Sequence, residues 1–214
     1  MRIIAYIDGF NLYYGLRDSG YKRYYWLNVQ SLSASLLKED QNLVKTKYFT
    51  APITGSNKSM PKRIAQKLDS KRKRQITFLE AVETLENTFL YYGHYLLKKI
   101  VCKKCNSNIP IPEEKMTDAS IATEIVADAY EDNYDMALII SADSDLCPPI
   151  LKVKERFPSK RIKACFPPKR FSSSLKGVVD EQITIGRGKL KANQLPDRIT
   201  KPDGYILERP REWS

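Results

Sequence analysis

The chain has a single histidine, His94, among its 214 residues. That scarcity excludes any site built on two histidine ligands, the two-histidine zinc proteases included. A Ser-His-Asp or Cys-His site would have to use His94. It lies in Tyr91-Tyr92-Gly93-His94-Tyr95-Leu96, which reads as strand, and it is taken as structural. Chemistry is therefore expected to run on carboxylates. Long apolar runs are missing too. No stretch approaches the roughly 18 residues that a membrane-crossing helix needs. The apolar start Ile3-Ile4-Ala5-Tyr6-Ile7 is too short for a signal peptide. The expectation is a cytoplasmic protein with no membrane association. With four cysteines in that compartment, a structural disulfide is not expected, and a core of this size folds without one.

What the chain has in excess is positive charge, a net +11. It is unevenly spread. Residues 58–75 carry eight bases against Asp69, whereas residues 113–145 carry ten acids against Lys115. A basic body points to a polyanionic partner, most simply nucleic acid. A concentrated acidic segment within it points to a cation site, although a solvated helix face reads the same way.

The elements alternate. Arg2 to Asp8 is a short buried strand, ended by Asp8-Gly9. Asn11 to Leu16 begins a helix or a loop. Asn28 is a good cap for a helix carrying Val29, Leu32, Leu36 and Leu37 on one face. A strand follows between Leu43 and Ile53, a helix over 60–87, and a third strand from Phe89 to Val101. Residues 102–116, with two prolines, read as a loop. Thr117 or Asp118 caps the next helix, and Met136 to Ile140 is the fourth strand. A helix from Ile150 to Phe157, a strand over Arg161 to Phe166, a short helix near Leu175 and a strand near Gln182 to Ile185 complete the pattern. Strands apolar along their length, separated by helices, predict a parallel sheet covered on both faces.

Sites in such folds form at the carboxyl ends of the strands. Asp8 ends the first strand, Asp143 and Asp145 follow the fourth, and Asp118 opens the helix before it. Clustered carboxylates repel one another, and a divalent cation removes the conflict. Mg²⁺ or Mn²⁺ suits such hard oxygen donors, and either can promote in-line displacement at a phosphodiester. Asp-x-Asp also occurs in nucleotide-sugar transferases, and each Asp alone is equally a turn or cap residue.

The same residues carry a resemblance. Tyr6-Ile7-Asp8-Gly9-Phe10-Asn11-Leu12 resembles the opening motif of the NYN domain, a branch of the PIN-like nuclease superfamily. Lys115-Met116-Thr117-Asp118-Ala119-Ser120-Ile121-Ala122 is similar to its second motif, and Leu138-Ile139-Ile140-Ser141-Ala142-Asp143-Ser144-Asp145-Leu146 to its third. Phe166-Pro167-Pro168 resembles the LabA-like members. The resemblance spans about residues 1–185, and 186–214 read as an extended C-terminal tail. It implies a Rossmann-like, PIN-like parallel sheet of order 3-2-1-4-5 and a divalent-metal-dependent ribonuclease. Asp8, Asp118, Asp143 and Asp145 then match the catalytic, metal-holding positions, and Asn11 and Ser141 the polar positions beside them. Ala142 departs from the usual glycine, a change that costs little unless a positive φ is needed.

The substrate expected is RNA, preferably single-stranded, held by Lys62, Arg63, Lys67, Arg72 and Lys73. A catalytically idle nucleic-acid-binding or regulatory module is the alternative. Phe10, Tyr13, Tyr14, Tyr21, Tyr24, Tyr25 and Trp26, interleaved with Arg17, Lys22 and Arg23, suit base stacking or, equally, a core. Cys102-x-x-Cys105 is half a zinc site. Shared between two chains it would mark a homo-oligomer; otherwise it is a relic or a redox-labile pair.

Overall fold

A computed structural model describes residues 1–56, 61–101 and 108–214. The centre is β1 (Arg2–Asp8), an apolar strand buried from Ile3 onward. Alternate residues feed two cores. Ile3, Ala5 and Ile7 face one cluster, and Ile4 and Tyr6 face the other. Both sides of the sheet are therefore covered, which is why the strand shows no polar alternation.

β1 pairs with β2 (Asn42–Thr50) and β6 (Met136–Ile140). Beyond them lie β3 (Thr88–Tyr92) on one side and β7 (Arg161–Phe166) and β8 (Glu181–Thr184) on the other. All five pairings are parallel, in the order β3-β2-β1-β6-β7-β8. Counted within this sheet alone, that is the expected 3-2-1-4-5 with β8 added at the edge. The order reverses between β1 and β6, so the crevice at their carboxyl ends is the natural place for a site.

One face carries α1 (Gly9–Asp18), α2 (Val29–Ser35) and α3 (Lys62–Glu83). The other carries α4 (Thr117–Tyr130), α5 (Cys147–Arg156) and α6 (Ser173–Val178). Asn28 caps α2 by accepting from Ser31 N at 2.8 Å, as expected. Neither Thr117 nor Asp118 caps α4. Met116 does, with φ 78°, and its carbonyl accepts from Ser120 N at 2.8 Å. A left-handed non-glycine residue stores local strain, here in the turn just before Asp118.

Three expectations are corrected. The strand expected over Phe89 to Val101 is two. β3 makes its last sheet bond from Gly93 N to Thr50 O, and the chain then leaves as β4 (His94–Val101). The expected loop at 102–116 contains β5 (Asn108–Lys115), antiparallel to β4. Pro110 and Pro112 fit because a two-stranded hairpin has free edges that need no N–H donor. The third is the tail, which folds back. It forms α7 (Arg187–Ala192) and a hairpin of β9 (Arg198–Thr200) and β10 (Ile206–Glu208). Leu190, Leu195, Leu207 and Trp213 join the same core as Ile3. The Trp26 indole donates to Pro196 O at 2.8 Å, which fastens the returning chain to the body.

Part of the acidic segment is structural. Lys47 is buried, and its Nζ reaches Glu124 and Asp128 on α4, each at 2.5 Å. Tyr6 Oη donates to the same Asp128 at 2.6 Å. Arg2 holds Asp132 and Asp135, and Lys160 also reaches Asp132. Among the described residues, no helix is long and apolar enough to cross a membrane.

Candidate metal centre

Asp8 is the last residue of β1 and the cap of α1, where its carboxylate accepts from Asn11 N at 2.9 Å. The turn from strand to helix is tight at Gly9. A Cβ there would lie 2.7 Å from Phe49 O, so only glycine lets β1 pass this close to β2. One residue past β6, Ser141 stands beside Asp8 and donates to it at 2.9 Å. The Ser141 hydroxyl also accepts from Asp143 N at 3.0 Å. Asn11 Oδ1 accepts from Ala142 N at 3.1 Å. The two polar motif residues thus lace the β1 end to the β6 end. Ala142 has no positive φ, so alanine is unstrained where the motif usually has glycine.

Asp8, Asp118 and Asp143 converge. Each offers a carboxylate oxygen, and the three lie within 4.8 Å of one another. They come from β1, the first turn of α4 and the loop after β6. Burial pushes the Asp8 carboxyl up to about 7, against the hydrogen bonds from Asn11 and Ser141, and the charges of Asp118 and Asp143 push the same way. A buried carboxylate that resists ionisation beside two others is a donor set that a hard divalent cation relieves. The residues present therefore fit Mg²⁺ or Mn²⁺.

Asp145 is not in this group. It is exposed, and its backbone N–H donates to Asp143 Oδ1 at 2.9 Å. The five bases expected to hold RNA, Lys62, Arg63, Lys67, Arg72 and Lys73, are all exposed on α3. His94 heads β4, exposed and opposite Lys115. Cys102 and Cys105 lie outside the described residues. Of the aromatic stretch, Trp26 and Tyr24 are buried in the core, whereas Phe10, Tyr13, Tyr14 and Tyr25 line a cavity of about 270 Å³ next to Gly9.

That cavity also takes Lys71, Arg74 and Phe78 from α3, Tyr48 from β2 and Trp213 from the C-terminal segment. Sequence reasoning misses these residues. A signal exists on α3, where residues 71, 74, 75 and 78 recur at the spacing of one helix face. Nothing local marks Trp213.

Comparison with known proteins agrees with this architecture. The NYN domain model matches residues 2–186. Across the whole chain and 75% of the relative, the sequence is 26% identical to 6-hydroxy-3-succinoylpyridine 3-monooxygenase HspA of Pseudomonas putida. The crystal structure of a protein of unknown function from Vibrio parahaemolyticus shares the fold, with a TM-score of 0.52 at 18% identity, over 87% of this chain and 93% of that one. With the family model covering the sheet, its helices and all three aspartates, the chain belongs to the NYN domain family, a branch of the PIN-like nucleases.

Proposed function

We propose that this protein is a divalent-metal-dependent ribonuclease that hydrolyses phosphodiesters of single-stranded RNA. One observation carries the reading, the convergence of Asp8, Asp118 and Asp143 at the switch point of the sheet. These three carboxylates would hold Mg²⁺ or Mn²⁺, with Asp145 at the rim. When bound, such an ion activates water and stabilises charge on a phosphodiester during in-line displacement. Asn11 and Ser141 fix the orientation of the Asp8 carboxylate and of the loop bearing Asp143. The exposed bases of α3 hold the strand by its phosphates, which gives affinity without sequence preference.

The test is cleavage of a generic single-stranded RNA by purified protein with Mn²⁺. Asp8→Asn should keep binding and lose cleavage. Persistent cleavage by that variant would assign the activity to a contaminant. Tight binding with no cleavage under any divalent ion would make the protein an idle binding module.

A second reading comes from the Pseudomonas putida relative, because that similarity includes residues 187–214, which the family match does not reach. Its name describes oxygenation of a substituted pyridine. Such chemistry consumes O₂ and a two-electron reductant. Reductant-dependent oxygen uptake with a hydroxypyridine bearing a succinoyl side chain would favour this reading over hydrolysis.

A further inference from the structure

The cavity between α1 and α3 is lined by none of the three converging aspartates, and its walls have the chemistry of a ligand site. Its walls are aromatic, with Phe10, Tyr13, Tyr48, Phe78 and Trp213 drawn from four separate parts of the chain. Flat rings in such walls stack on a flat guest. At about 270 Å³ it has room for one ring system with a substituent, and is too small for a peptide helix.

Its polar edge is cationic. Lys22, Lys71 and Arg74 line it, and no Asp or Glu among the described residues does. Lys71 forms no ion pair among the described residues, and its Nζ sits 5.5 Å over the Tyr13 ring. Partial burial, together with Arg17 and Arg74, holds that ammonium below its usual range. Arg74 is braced by Glu212 at 2.6 Å and Ser70 at 2.7 Å, which presets its direction. A positive edge beside a stack of rings is complementary to a guest that is both planar and anionic.

We propose that this cavity binds one planar heteroaromatic ring bearing an anionic group, either a nucleotide or a ring carboxylate of similar size. The guest ring lies among Tyr13, Phe78 and Trp213, and its anion meets Lys71 and Arg74. Binding needs neither a divalent ion nor cleavage, so it stands apart from the hydrolytic reading. The cavity opens beside Gly9, next in the chain to Asp8, which puts the guest close to the carboxylate cluster.

Trp213 and the buried Trp26 are the two tryptophans of the chain, with ring centroids 6.4 Å apart, so intrinsic fluorescence reports the cavity. The parent protein in EDTA is titrated with AMP, UMP and nicotinic acid, and with adenosine, uridine and nicotinamide as uncharged counterparts. Saturable quenching by an anionic probe, at least about tenfold tighter than by its counterpart, is expected. Quenching by the nucleotides assigns the cavity to a base and phosphate, and quenching by nicotinic acid alone assigns it to a small ring carboxylate. Lys71→Gln, which breaks no ion pair among the described residues, should weaken binding about tenfold with circular dichroism unchanged. Trp213→Phe should lose most of the signal while calorimetry still detects binding. No saturable binding of any anionic probe, equal binding of the uncharged counterparts, or an unaltered affinity in Lys71→Gln would overturn the proposal.

Discussion

The Ser141 hydroxyl donates to the buried Asp8 carboxylate at 2.9 Å across the junction of β1 and β6, joining residues 133 apart in sequence. The same oxygen accepts from Asp143 N. One small side chain thus ties two of the three converging carboxylates to each other and to the strand ends.

Removing that tie should be costly for its size. Ser141→Ala leaves a buried acceptor one donor short, and the expected loss is about 1–3 kcal/mol. Urea denaturation of metal-free protein measures it. A change within about 0.5 kcal/mol, the scatter of ordinary surface substitutions, would show that Ser141 is not holding the junction.

The Asp8 carboxyl predicts a pH dependence. An ordinary aspartate titrates near 3.8 and Asp8 at about 7, so the folded protein keeps a proton that the unfolded chain has released. Metal-free stability should therefore fall as pH rises from about 4 to about 7, then level off. Asp8→Asn should erase that fall and, above about pH 7, exceed the parent by up to about 4 kcal/mol. Equal pH profiles for the two proteins would contradict the burial of this charge.

Metal should act through the triad. Millimolar Mn²⁺ should raise the melting temperature of the parent, because a ligand of the folded state stabilises by mass action. Asp143→Asn should abolish the shift, whereas Asp145→Asn, outside the three-carboxylate group, should retain most of it. An unshifted parent would argue against any cation at this site.

The buried Lys47–Asp128 pair should matter more than any surface pair. Burial raises the Asp128 carboxyl, but hydrogen bonds from Lys47, Tyr6 and Asn133 outweigh it and hold the group below the usual range. Lys47→Met strands Asp128 as an uncompensated charge, at an expected cost of about 3–5 kcal/mol. Exchanging Lys47 and Asp128 together for apolar residues should restore most of the loss, a result readable in one double-mutant cycle.

The exposed bases of α3 predict a salt dependence. Changing Lys62, Lys67 and Lys73 to Gln should weaken RNA binding for all sequences alike. The log–log salt slope should flatten by about 0.7 for each phosphate no longer neutralised. An unchanged slope would leave these residues a solubilising face.

Much of the fold and the triad is legible in the sequence for a physical reason. A strand such as Ile3 to Ile7, buried on both faces, must be apolar throughout, and its end is marked by Asp8-Gly9. The burial and the chemistry are therefore written locally. The hairpin of β4 and β5 is not legible, because the Tyr- and Leu-rich run of residues 89–101 does not say where a chain leaves one sheet for another. Nor is the role of most acids between 113 and 145. Asp128 reads like Asp118 in the sequence, and only its distant partners Lys47 and Tyr6 make one structural while the other joins the triad. The cavity is hidden for the same reason, since Trp213 reaches it from far along the chain.

The place of β1 has a kinetic consequence. Ile7 lies opposite Tyr48 on one side and Ile140 on the other, so the centre of the sheet joins the start of the chain to a strand synthesised long afterwards. Parallel pairings of such long range form slowly. The carboxylate cluster needs Asp143, which follows β6, so no N-terminal fragment ending before β6 can pre-form it. A cation supplied during refolding should leave the folding rate nearly unchanged and slow unfolding instead, the signature of an interaction made after the barrier.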